Sequence, residues 1–70
     1  MTLDYVLKVE EEITTARAKE LKELLENDGD TAVRINRKRG EIEISTSERL
    51  EDIFALLEEN NCYIIEATLV

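Results

Sequence analysis

The stretch VRINRKRGEIEI (residues 33–44) decides how this chain folds. Val33 and Ile35 alternate with polar residues, and so do Ile42 and Ile44, so each half reads as a strand with one buried face. The short RKRGE between them predicts a hairpin turned at Gly40. Glu41 and Glu43 then point outward from the second of these strands.

The flanks of the hairpin fix the remaining elements. Upstream, Leu3, Tyr5, Leu7 and Val9 alternate with Thr2, Asp4 and Lys8, which predicts another strand; Val6 interrupts its polar side. From about residue 14 to residue 27 the period becomes helical. Ala18, Leu21, Leu24 and Leu25 share one face, and Lys19, Lys22, Glu23 and Glu26 take the other. Asn27, Asp28 and Gly29 stop this helix, the glycine being free to turn left-handed. Downstream, Ser45 and Glu48 stand at capping-box spacing, with Ser47 as a rival N-cap. Leu50, Ile53, Phe54 and Leu57 follow at i, i+3, i+4 and i+7, a second amphipathic helix running to about Asn60. Asn61 ends it as a glycine would, and CYIIEATLV forms the last strand.

The order strand–helix–strand–strand–helix–strand contains two split βαβ halves. Both crossovers are right-handed, so both helices cover the same side of the sheet. The expected architecture is α+β: a ferredoxin-like βαββαβ sandwich, with a four-stranded antiparallel sheet and two helices on one face. With no proline, two glycines and no low-complexity tract, residues 1–70 read as a single domain.

Composition narrows function by exclusion. A chain of 70 residues buries only about 60% of its unfolded surface, which leaves a thin core and little room for a substrate pocket. Apolar runs are too short to span a bilayer, and no signal peptide is visible. The expectation is a soluble cytoplasmic chain with no membrane partner. Cys62 is the single cysteine and histidine is absent, so tetrahedral zinc or copper sites have almost no ligands. The net charge of −8 repels nucleic-acid phosphates and anionic lipid.

These segments look like a family. The spacing of LKVEEEITTAR, LKELLENDGDTAVRIN, EIEIS and LEDIFALLEENNCY resembles the heavy-metal-associated domain of copper chaperones and metal-pumping ATPases. The similarity runs over about residues 7–63. KV ends the first strand as in that family, Leu21 and Leu25 stand where its first helix carries apolar anchors, and VRIN, LEDI and LLEENN fit the later elements. The resemblance implies this same fold and, in the family, a Cys-x-x-Cys metal site at the start of the first helix. Aligned without gaps, the glycine before that motif becomes Glu11, and the two cysteines become Thr14 and Arg17. A hydroxyl is a poor ligand for soft copper, and a guanidinium repels it. The implied metal transfer fails at both residues, so neither a metal nor another cofactor is expected.

Other candidates reduce to structural roles. Glu10, Glu11 and Glu12 diverge from one backbone and are read as favouring the positive end of the first helix rather than chelating calcium or magnesium. Thr14 and Thr15 are N-cap residues with no base partner to make either a nucleophile. Cys62, at the start of the last strand, reads as a small hydrophobe. Arg34, Arg37, Lys38 and Arg39 form the one basic cluster; Arg34 and Lys8 are expected to pair with Glu41, Glu43 or Glu66 across the open sheet face. Aromatic base-stacking residues are lacking there, so nucleic acid is not expected as a partner. By strict alternation Val6, Ile64 and Val70 make an apolar strip on the open face, which reads equally as an association surface or as ordinary strand composition, and the alternative for the basic tip is contact with an acidic partner.

Without a nucleophile, a histidine or a phosphate loop, the chain does not read as an enzyme. The first expectation is a non-catalytic interaction or structural module, a monomer or weak homodimer, docking another protein on its sheet face or an edge strand. The second is an engineered ferredoxin-like scaffold with no biological ligand, since Glu/Lys-rich helix surfaces and scarce glycine suit idealised sequences.

Overall fold

The computed structural model describes residues 1–27 and 29–70. Its elements are β1 (Leu3–Val9), α1 (Thr15–Glu26), β2 (Thr31–Asn36), β3 (Glu41–Thr46), α2 (Leu50–Glu59) and β4 (Ile64–Leu69). The strands form one antiparallel sheet in the order β2-β3-β1-β4, a ferredoxin-like βαββαβ arrangement.

The hairpin of residues 33–44 sets the register. Ile35 faces Ile42 and Val33 faces Ile44 across the β2–β3 pair, while Leu7 faces Ile42 and Tyr5 faces Ile44 across β1–β3. One apolar stripe therefore crosses three strands. Gly40 closes the four-residue loop at φ +64°, a left-handed conformation that costs a glycine little. Its carbonyl accepts from the Val9 amide at 2.9 Å, which ties the end of β1 to the turn.

Both helices cover that stripe. Leu21 and Leu25 of α1 and Ile53 and Leu57 of α2 lie in one buried cluster with Leu7, Val9, Ile42 and Ile44. α1 is built from strong helix formers, and its first turn is capped by Thr14, whose Oγ1 accepts from the Arg17 amide at 3.1 Å. It stops at Asn27 and Gly29, the glycine at φ +81°; Asp28, expected in the same stop signal, lies outside the described residues.

Three local expectations need correction. Neither Ser45 nor Ser47 caps α2. Ser45 is committed to β3, where its hydroxyl donates to the Asp4 carboxylate across the β1–β3 pair. The chain enters α2 instead through Thr46, whose Oγ1 accepts from the Glu48 amide at 3.0 Å, and the N-cap position falls to Arg49 without a side-chain cap. Glu51 and Asp52 in the first turn favour the helix dipole in its place.

Cys62 is not in β4 but two residues before it, and it is wholly buried. Asn61 takes φ +62°, with its amide bonded to the Glu58 carbonyl and the Cys62 amide to the Leu57 carbonyl. That pair of bonds is a Schellman motif, and Cys62 supplies the apolar residue that packs beneath such a cap.

Ile64 does not join the open face. Lys8 pairs with Glu66 and Val9 with Ile64, so Ile65 is an extra residue, a β-bulge. The bulge reverses the alternation assumed from sequence. Ile64 is partly buried against the core, and Glu66 and Thr68 point to the open side beside Lys8 and Val6.

Candidate functional site

Residues 10–13 lead from β1 into α1, and Ile13 anchors this loop by burying its side chain. The next turn aims Arg17 back over it. The Arg17 Nε lies 3.2 Å from Glu11 Oε2, and Nη2 lies 3.2 Å from Glu11 Oε1. Nη1 contacts Glu20, and Nη2 also donates to the Asn60 carbonyl at 2.5 Å. A permanent cation thus bridges two carboxylates and the carbonyl end of α2, where the helix dipole is negative. The Glu11 hydrogen bond, ahead of burial acting the other way, raises Arg17 above its ordinary pKa.

Beneath this cluster the Cys62 thiol is pushed up to about 11. Burial is the main cause, the Glu11 hydrogen bond and charge add to it, and Arg17 partly opposes them. A thiol held so high stays protonated near neutrality and is a poor nucleophile or ligand. Among the described residues, no three cysteine or carboxylate side chains converge as a metal-binding group. Of the acidic triplet, Glu11 has become Arg17's counter-ion; none of the three lies in the first turn of α1.

The basic hairpin is divided rather than gathered. Arg37 Nη1 reaches back to Thr15 Oγ1 at 2.8 Å, and the Arg39 amide bonds Asn36 Oδ1 at 3.3 Å within the turn. Lys38 and Arg39 are exposed at the tip. Arg34 stands on the open face directly opposite Glu43, and Lys8 between Glu41 and Glu66, as the register dictates. Close ion pairs join Arg17 with Glu11 and Glu20, and Arg49 with Glu51. Val6, Ala32, Arg34, Glu43, Ser45 and Val70 line a shallow open depression on this face.

The two sheet edges differ more than the two faces. On β2 the Val33 amide points outward and is taken by Glu26 Oε2 at 2.8 Å, so a carboxylate from α1 covers the middle of that edge. Glu26 therefore works at the sheet, not on the solvent side of α1. On β4 the Val70 amide donates inward to the Asp4 carbonyl at 2.9 Å, so by ladder alternation the Leu69 and Ala67 backbone groups point outward. Apolar side chains border them: Ile65 is 62% exposed, Leu69 60% and Val70 79%. Glu66 is the one charged residue of β4.

Sequence reasoning placed Val6 and Val70 on the open side but missed Ile65 and Leu69, because a bulge leaves no residue-type signature here. It also missed Glu26, whose partner is set by tertiary packing. Among the described residues no helix is long and apolar enough to cross a membrane. No protein-family model matches the sequence, and no curated protein matches it.

Proposed function

We propose that this chain is a non-catalytic, metal-independent interaction domain of heavy-metal-associated type, working in a reducing compartment such as the cytoplasm. It docks a protein partner by adding a strand along β4. The observation that carries this reading is the contrast between the edges: Glu26 takes one outward amide of β2, that of Val33, while the outward groups of β4 are bordered by exposed Ile65 and Leu69. Backbone hydrogen bonds of an added strand supply affinity, and apolar contacts at alternate positions supply selectivity. The resemblance in spacing supports the family assignment, and Arg17 bound by Glu11 and Glu20 supports the loss of metal transfer. A basic partner is the easier electrostatic match for a charge of −8.

The test is an amide chemical-shift titration with eight-residue peptides alternating apolar and basic residues. Shifts are expected along residues 64–70. Shifts confined to the hairpin tip, or none with any peptide, would remove the edge as the docking site.

A second reading, a stable scaffold with no biological ligand, is favoured by one feature. No buried side-chain polar atom lacks a partner among the described residues, the consistency sought in idealised sequences. A melting temperature above about 90 °C with no peptide response would favour it.

A further inference from the structure

Resting on that edge-strand reading, we propose that the strand β4 accepts is β4 of a second copy, paired antiparallel about a two-fold axis through Ala67. Antiparallel pairing of a strand with itself is self-complementary, as an isologous interface requires. The axis at Ala67 matches its outward backbone groups with their own copy. It sets Ile65 of each protomer beside Leu69 of the other, so four apolar side chains that are each more than half exposed cover one another.

The charges fit this register. Glu66, the only charged residue in β4, lies across from Thr68 of the other copy and never meets its equivalent. The pairing also ends itself. β2, the sheet's other edge, has its central outward amide, Val33, taken by Glu26, which disfavours a further strand on the far side. The product is a closed eight-stranded dimer rather than a fibre.

Four side chains giving up on the order of 100 Å² each keep the interface in the weak, transient class. Dissociation constants between roughly 10 μM and 1 mM correspond to that class. Two protomers of charge −8 repel, so salt screens the repulsion and tightens the dimer. A basic peptide partner responds to salt in the opposite direction.

The experiment is sedimentation equilibrium from 10 μM to 1 mM protein in 50 and 500 mM NaCl, with amide exchange at low and high concentration. The expected result is reversible dimer formation, at least threefold tighter at high salt, with Ala67 and Leu69 amides slowing as protein concentration rises. Ala67→Pro removes an outward N–H that makes no internal bond, and Ile65→Lys places a charge at the seam. Each is expected to give a monomer with unchanged far-ultraviolet circular dichroism; should the proline variant unfold, the lysine variant decides. A wild-type chain monomeric at 1 mM, a dimer that persists in the lysine variant, or protection absent from β4 overturns the proposal. A monomeric wild type whose residues 64–70 still respond to the basic peptides overturns self-pairing alone and leaves the edge as a docking site. A monomer with no such response removes both.

Discussion

Arg17 is held by partners from three parts of the chain: Glu11 in the loop before α1, Glu20 one turn on, and the Asn60 carbonyl at the end of α2. Its guanidinium adds a side-chain tie beside the Glu10 amide to Tyr63 carbonyl bond that already links the loop to the segment after α2. Arg17→Met is expected to lower unfolding free energy by about 1–3 kcal/mol in urea titrations, because Glu11 and the carbonyl lose a charge-assisted partner. Arg17→Lys should recover only part of this, since an ammonium cannot make the two-pronged contact. Cys62 below it gives a second readout. Its folded pKa, about 11, lies above that of an unfolded thiol, so the folded chain keeps a proton that the unfolded chain releases. The associated stability is whole below about pH 8.5 and is lost as pH rises toward 11. Comparing wild type with Cys62→Ala cancels every contribution common to the two chains. The stability difference should stay constant from about pH 6 to 8 and shrink by roughly 2–3 kcal/mol by the folded pKa. A difference that does not move across this range would show that the thiol is not desolvated.

At the scale of elements, what was legible in the sequence is what local chemistry determines. Thr14 caps α1 and Asn61 ends α2 left-handed because each acts on backbone within a few residues of itself. Asn61→Ala is expected to cost about 1 kcal/mol by thermal or urea unfolding, since alanine lacks asparagine's tolerance of positive φ. Ser45 misled because its spacing to Glu48 is a capping signal only if Ser45 is not already in a strand, and pairing with Asp4 was decided by β1. The bulge at Ile65 was likewise hidden: CYIIEATLV is β-branched throughout, and nothing in it says which isoleucine is the extra one. Buried Thr31 and Thr46 could have been read, since they share the parity of Val33 and Ile44; their hydroxyls hydrogen-bond each other at 2.8 Å. Glu26 could not, because its target on β2 depends on how α1 lies over the sheet. Glu26→Ala should lower stability by about 1–2 kcal/mol and, with the edge amide freed, give concentration-dependent association beyond dimer, visible by light scattering.

For the whole molecule the helix-covered and open sides of the sheet set the balance of energies. The radius of gyration is 10.8 Å, against about 11 Å for a compact chain of this length. Among the described residues the buried apolar side chains belong to one cluster under the helices, and the open side holds Lys8, Arg34, Glu41, Glu43 and Glu66 in register. The topology was legible because the two helical stripes and four strands leave one right-handed arrangement that buries every stripe on one side. Edge roles were not, since both edge strands carry apolar residues and differ only in what lies beside them. A domain of this size is stable by about 4–10 kcal/mol, so one core side chain carries a large share of the total. Leu21→Ala and Ile53→Ala each open a cavity between helix and sheet, where both residues are almost wholly buried, and should each cost about 2–5 kcal/mol in urea unfolding. Leu69→Ala, on a side chain 60% exposed, should cost under about 1 kcal/mol in the monomer. If the three losses were equal, burial under α1 and α2 would not be what holds this sheet together.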